Sequence, residues 1–346
     1  MELSIIIVNY KNQHLITQCI RSIIDCEKKI NYEIIVVDNN SNDDTEKILK
    51  EIYAELVWIQ MGYNSGFGRA CNEGIRRAKG KFLLLLNSDT LIKDENTLYD
   101  CAKYLEVLQT VKHTILGVRL VDLSGKYQET LRMRFISLTD ILRANPLYIF
   151  IFNRILKINK KEKEKQKQKD AHYKSGEVAW INGAFMMMDR NAILQNKLFF
   201  DEDYFLYGED MEFCWRVRKK EFRFYHWHEK ELIHIGSGSS SDLFLKRCQI
   251  TVSDWLTIKK MRGTLYFLVY LVIELFNILA DEILFFLAKT RGKKISLDIK
   301  IEHKFRSIKW YLLRKYGFLT LTKNKLSTSL KFLTNCYEDS YIKNKK

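Results

Sequence analysis

The chain has 346 residues, 47% of them hydrophobic and 29% charged, with a formal net charge of +15. That length accommodates one large α/β domain plus an appendage and excludes a small module held together by disulfides or a metal. Seven cysteines without a CxxC pair predict reduced, mostly buried thiols, and an opening directly on a strand pattern, with no basic and apolar leader ahead of it, predicts an intracellular protein.

From the N-terminus, residues 3–8, apolar except for Ser4, read as a strand. Residues 14–25 follow with Leu15, Cys19, Ile20, Ile23 and Ile24 at helical spacing. A second strand over 33–37 is closed by the turn and capping residues 38–44 before a helix over 45–53. Residues 56–60 are a third strand, 66–79 a helix entered through glycines, and 81–86 a fourth strand that stops abruptly at Asn87, Ser88 and Asp89. With another strand at 115–121, this alternation predicts a parallel sheet with crossover helices, an architecture that binds nucleotides.

Residues 157–170, with Lys-Glu-Lys-Gln repeats and no apolar period, read as an exposed helix or as the core of a charged, mobile insertion over 155–175. Order is expected again over 178–189, 213–218, 222–228 and 232–235. Residues 264–288 form a long apolar helix, but Glu274, Asp281 and Glu282 leave no uncharged stretch of about 18 residues, which disfavours a membrane span. Glu274, Asn277 and Asp281 fall on one side of it as a narrow acidic stripe beside a broad apolar face. Lys259, Lys260, Arg262, Lys289, Arg291, Lys293 and Lys294 flank it, so the helix suits an anionic lipid interface, a buried bundle position or a dimer contact. Most of the net positive charge lies beyond Lys259, in a tail that can meet a membrane surface or nucleic acid, or remain a solvated appendage.

Four clusters combine residue types suited to chemistry. At the end of a strand, Asp38 can accept from a base or ribose, or cap a turn. Between Asn64 and Gly74, glycines at a loop-to-helix junction allow close approach of an anion, and Arg69 adds a charge within one turn. Asn87, Ser88 and Asp89 lie where a carboxylate can hold a metal and a phosphate, or serve only as turn residues. Glu209, Asp210 and Glu212 sit among aromatics, where burial raises a carboxyl toward the range of a general base; an acidic first helical turn is the competing explanation. His234, just before a Gly/Ser run at 236–241, can be a metal ligand beneath a mobile loop or a structural residue. His226 and His228 alternate along one strand, yet no third soft ligand is near, so zinc is not expected.

In this order the clusters resemble glycosyltransferase family 2, inverting enzymes of the GT-A fold, and more narrowly its rhamnosyltransferase-like branch in bacterial surface-polysaccharide synthesis. The resemblance rests on residues 5–10, 36–45, 64–74, 83–90, 180–187, 200–202, 204–216 and 233–239, and covers residues 3–240. It implies that Val8, Tyr10, Asp38, Asn64, Gly66, Arg69, Asn87 and Ser88 line a nucleotide-sugar site, with Asp38 on the base. It implies further that Trp180, Asn182 and Gly183 line a sugar pocket, that Asp89 and His234 ligate Mg²⁺ or Mn²⁺ on the diphosphate, and that Asp210 of the Glu209–Asp210 pair is the general base. Position 87 is Asn where the family's metal motif is often Asp-x-Asp, although the triplet is similar to a variant of the rhamnosyltransferase-like branch.

The resemblance therefore predicts an α/β, GT-A (Rossmann-like) nucleotide-diphospho-sugar transferase fold over residues 1–245 and a helical, basic, membrane-associating region over 246–346. The implied enzyme moves a sugar from a dTDP or UDP donor to a lipid-linked or growing glycan acceptor. dTDP-L-rhamnose is the first donor expected, and UDP-hexose or UDP-galactofuranose the next. Such a protein would be peripheral on the cytoplasmic face of the inner membrane, with no nucleic-acid partner and with homo-oligomer formation left open. A nucleotidyltransferase would need a basic glycine loop after the first strand, where Ile7-Val8-Asn9-Tyr10 has none. A non-catalytic sugar-nucleotide or nucleic-acid binder is supported only by the charge of the tail.

Overall fold

Strands β1 (Leu3–Asn9) and β4 (Phe82–Asn87) are apolar on both faces and lie side by side, in parallel, within a nine-stranded sheet. The structure is a computed structural model that describes residues 1–135, 137–138, 166, 170–236, 243–290 and 307–313. The chain divides into two units, Met1–Phe135 with Gln166–Ser239 and Ile136–Lys165 with Ser240–Lys346.

In the first unit, β1 is followed by α1 (Gln13–Cys26), β2 (Tyr32–Asp38), α2 (Thr45–Ile52), β3 (Val57–Gln60) and α3 (Phe67–Arg77), and β4 by β5 (Thr90–Ile92), α4 (Thr97–Gln109) and β6 (Thr114–Val121). Then come the short β7 (Leu131–Arg132), β8 (Gly176–Val178), β9 (Trp180–Ile181) and β10 (Phe185–Asp189), then α5 (Arg190–Gln195), α6 (Glu209–Arg218) and β11 (Arg223–His234). The sheet order is β3-β2-β1-β4-β10-β6-β11-β5, with β8 on β11, while β7 and β9 form a separate pair. Alternate residues of the central strands face opposite layers. Ile5, Ile7, Leu84 and Leu86 pack with α1, α2 and α4 on one side, and Ile6, Leu83 and Leu85 pack with α3, α5 and α6 on the other.

Two sequence expectations need correction. The sheet is not wholly parallel, because β10 enters between β4 and β6 antiparallel to both, a long-range pairing that local periodicity does not encode. The segments expected at 222–228 and 232–235 also merge, over Arg223–His234, into one strand, β11, whose pairing with β6 shifts register between Trp227 and Glu231. The described cysteines are free thiols, all buried except Cys26. Most of the expected insertion, residues 155–165 and 167–169, lies outside the described residues, whereas His172 is fully buried with its ring 4.8 Å from that of Tyr127.

The second unit contains α7 (Leu243–Arg262) and α8 (Thr264–Thr290), reversed at Gly263, whose φ of +87° suits glycine, and a helical stretch at 307–313. Val252, Trp255, Ile258, Phe267, Leu271, Ile278, Ile308 and Leu312 form its core. The polar stripe of α8 faces inward: Glu274, Asn277 and Asp281 are buried, and Lys309 Nζ lies 2.6 Å from Glu274 Oε2. Leu265, Val269, Val272, Phe276, Leu279, Ile283 and Phe286 are exposed instead. No described helix is long and apolar enough to cross a membrane. Arg291, Lys293, Lys294 and the run 237–241 lie outside the described residues.

Candidate functional site

The carboxyl ends of β1, β2 and β4 converge because the three strands are parallel and in register, with Asn9 opposite Asp38 and Val8 opposite Asn87. Asp38 is only 1% exposed. Its Oδ1 accepts from Asn9 Nδ2 at 2.8 Å and Ser41 Oγ at 2.5 Å, and its Oδ2 accepts from Ser41 N at 2.8 Å and Gln60 Nε2 at 3.1 Å. Four donors within the chain thus occupy the carboxylate, and exposed Gln60 is the partner that a base can displace. Val8 is half-buried at the strand end, and Tyr10 is exposed beyond it.

Asn39 joins this corner to α3. Its Oδ1 accepts from Ser65 N at 3.1 Å and Ser65 Oγ at 2.7 Å, and its Nδ2 donates to Gly66 O at 3.0 Å. Asn64 Oδ1 accepts from Gly66 N at 3.2 Å, and Arg69 Nη1 donates to Ser65 O at 3.1 Å. Gly66 has φ +83°, and a Cβ there would stand 2.0 Å from Phe205 O, so only glycine fits against the segment leading to Glu209 and Asp210.

On the other side of β4, Asp89 precedes β5, and β5 pairs with the end of β11 so that Thr90 lies opposite His234. His234 Nε2 is 3.3 Å from Asp89 Oδ1 and 3.3 Å from Asn87 Nδ2. Asp89 Oδ2 accepts from Gly236 N at 3.1 Å. Burial pushes the Asp89 carboxyl up, but His234 and the backbone amides outweigh it and hold the group below its usual range. Among the described residues no group of three or more His, Cys, Asp and Glu could hold a metal. The pair nevertheless fits a hard divalent cation that takes its other ligands from water and phosphate, because adjacent corners of an octahedron with bonds of about 2.1 Å lie about 3 Å apart. Ser88 is half-buried between Asn87 and Asp89.

The acid pair reaches the same edge of the sheet. Asn87 N donates to Ala184 O at 3.1 Å, and the adjacent Gly183 N donates to Asp210 Oδ2 at 3.3 Å. Met211 N holds Asp210 Oδ1 at 2.8 Å. Asn182 Oδ1 accepts from Ala184 N at 2.8 Å, and Trp180 is half-buried on β9. Asp210 keeps partial access to solvent; desolvation raises its carboxyl, opposed by these two amides. Glu209 is 5% exposed, and its Oε2 meets no hydrogen-bond partner among the described residues. Burial first, and then the neighbouring Asp210 charge, push Glu209 up to about 8.

The structure therefore gathers Asn87, Asp89 and His234 into one group and links Asp210 to it through Gly183 and Ala184. It also brings in Asn9, Asn39, Ser41, Gln60 and Gln128, which the sequence reading missed. Asn39 and Ser41 stand beside the strand-end Asp38 and were legible as loop formers, whereas Gln128 has no motif or period to mark it.

Comparison with known proteins bears on the family and the fold. The family model described as glycosyl transferase family 2 matches residues 4–193. The chain is 27% identical over 252 residues to rhamnosyltransferase WbbL of Escherichia coli K12, covering 70% of this chain and 86% of that protein. It is 38% identical over 103 residues to the poly(ribitol-phosphate) beta-glucosyltransferase of Bacillus spizizenii, but that match spans 28% of this chain and only 16% of that protein. Among solved structures, mannosyltransferase PcManGT from Pyrobaculum calidifontis, in complex with GDP-Man and Mn²⁺, superposes with a TM-score of 0.51 at 16% identity, covering 97% of this chain and 86% of that one. That likeness concerns the fold alone, which is GT-A. With more than half of its length matched by one family model, the chain belongs to glycosyl transferase family 2.

Proposed function

We propose that this protein is an inverting glycosyltransferase that moves L-rhamnose from dTDP-rhamnose to a lipid-linked or growing surface-polysaccharide acceptor. The observation that carries the reading is the pairing of Asp89 with His234, with Asp210 tied to the same sheet edge through Gly183. The named activity of the Escherichia coli relative favours rhamnose. The Bacillus spizizenii relative, named a glucosyltransferase, favours a hexose as the second reading, for which UDP-hexose or UDP-galactofuranose is the donor we propose.

Asp38 contacts the base by exchanging the Gln60 amide for it, on a loop held by Asn9, Asn39 and Ser41. Val8, Tyr10, Asn64, Gly66, Arg69 and Ser88 surround the rest of the nucleotide. Asp89 and His234 would hold Mg²⁺ or Mn²⁺, with the Asn87 amide beside them, and a bound ion would neutralise charge on the departing nucleoside diphosphate. Trp180, Asn182 and Gly183 line the sugar pocket. Asp210 takes the proton of an acceptor hydroxyl as that oxygen bonds to the anomeric carbon from the face opposite the leaving diphosphate. The glycosidic phosphate bond breaks in the same displacement, so configuration inverts and no covalent enzyme intermediate forms. Buried Glu209, protonated near neutral pH, avoids placing a second negative charge beside the base.

The exposed apolar stripe of α8, with exposed Lys260, Arg262 and Lys289 near its ends, supports docking on an anionic membrane surface, where a lipid-linked acceptor resides. The cytoplasmic face of the inner membrane fits both that charge and a nucleotide donor. The test is transfer by the purified full chain with a panel of dTDP-, UDP- and GDP-sugars and a polyprenyl-diphosphate-linked acceptor. Asp210→Asn should lose about 10²–10⁴-fold in kcat with an unchanged circular-dichroism spectrum. A folded Asp210→Asn protein with full transfer activity would overturn the assignment.

A further inference from the structure

We propose that Gln128 is a positioning residue for the metal edge of the site, fixing His234 in the tautomer whose Nε2 is unprotonated and turned toward Asp89. The inference rests on the metal-dependent reading above. After β6 the chain turns on Asp122, whose Oδ1 accepts from Ser124 N at 2.8 Å and Lys126 N at 3.1 Å. It returns along β6, where Tyr127 bridges Val121 and Gln128 N donates to Leu120 O at 2.8 Å. Because β11 pairs with β6 through Ile233 and Val121, this turn delivers the Gln128 side chain to His234, the last residue of β11.

Two hydrogen bonds then determine the proton. Gln128 Nε2 lies 2.5 Å from the His234 carbonyl oxygen, and Gln128 Oε1 lies 2.6 Å from His234 Nδ1. A backbone carbonyl only accepts, so the amide nitrogen must face it. The amide oxygen also only accepts, so Nδ1 must carry the hydrogen. In the neutral ring Nε2 is then a lone pair, served by the Asn87 amide at 3.3 Å and facing the Asp89 carboxylate at 3.3 Å. When the ring carries no second proton, the Nε2 lone pair and the Asp89 carboxylate face each other, an arrangement that a divalent cation satisfies; a doubly protonated ring instead donates Nε2–H to Asp89 and lowers that carboxyl. Without Gln128 the ring can shift its hydrogen to Nε2 and donate to Asp89, which closes both ligands on each other.

The test uses the full chain with Mn²⁺ and, in parallel, dTDP or UDP, following free Mn²⁺ by its paramagnetic resonance signal, and the His234 ring by long-range ¹H–¹⁵N correlation in metal-free protein. Gln128→Leu should weaken Mn²⁺ binding by about 10–100-fold, and His234 should change from the Nδ1–H to the Nε2–H form. Gln128→Glu, which still accepts from Nδ1–H, should bind Mn²⁺ more tightly than Gln128→Leu. Wild-type protein with His234 already in the Nε2–H form would overturn the proposal without recourse to any variant. Equal Mn²⁺ affinity in wild type and Gln128→Leu would overturn the role of Gln128 alone, whereas wild type that binds no Mn²⁺ with either dTDP or UDP present would overturn the metal reading and this role together.

Discussion

Glu209 has the least compensated carboxylate environment in the site, and its energetics are readable through pH. Its folded-state value of about 8 lies above the ordinary 4.5, so the folded protein retains a proton that the unfolded chain releases between those values. This contribution is fully present below about 4.5 and is lost as pH rises through about 8, so Glu209→Gln should gain stability relative to wild type on going from pH 5 to pH 8. Guanidinium unfolding midpoints of both proteins at the two pH values check this. Gly66→Ala makes a sterically different prediction: with φ +83° and a backbone oxygen 2.0 Å from the new Cβ, the variant should lose at least about 2 kcal/mol by urea denaturation. Asp89 and Asp210 stood out as candidates because strand-end acids and acid pairs among aromatics are local patterns, and His234 because it precedes a Gly/Ser run. Gln128 and Gln60 were not, since each acts through a partner distant in sequence, on another strand, and neither a loop glutamine nor one at a strand end has a local signature.

At the scale of elements, α8 buries its polar stripe together with Phe267, Leu271 and Ile278 and leaves a second apolar stripe outside. The sequence showed both stripes from the 3.6-residue period, but which one faces inward depends on Lys309, which meets Glu274 from another segment. Exposed Val272 and Phe276 lie near the middle of that stripe. Replacing both with Ser should leave the helix content unchanged and weaken sedimentation with vesicles by at least about tenfold, because both side chains leave the acyl boundary. Strands β1, β2 and β4 were legible for a related reason, as apolar runs bounded by turn residues. The antiparallel entry of β10 was not, because residues 185–189 look alike in either direction and only their partners set the orientation.

For the whole molecule, the division into two units and the net charge of +15 bear on association rather than on fold. Binding to vesicles that contain anionic lipid should fall steeply between 50 and 500 mM NaCl, whereas the weaker binding to zwitterionic vesicles should change little; co-sedimentation across that range measures both. Composition displayed this charge from the outset, and the family resemblance supplied the architecture, yet neither contained the order of strands across the sheet.

That order also has a consequence for synthesis. Strand β4 ends at residue 87, but its second neighbour, β10, begins only at residue 185. While a ribosome makes the chain between them, the strand that bears Asn87 has one partner, β1, and an open apolar edge. Strand β10 can join only after residue 189 has emerged, and β11, between β6 and β5, only after residue 234, so through this stretch of translation the nascent chain presents open strand edges to misassociation.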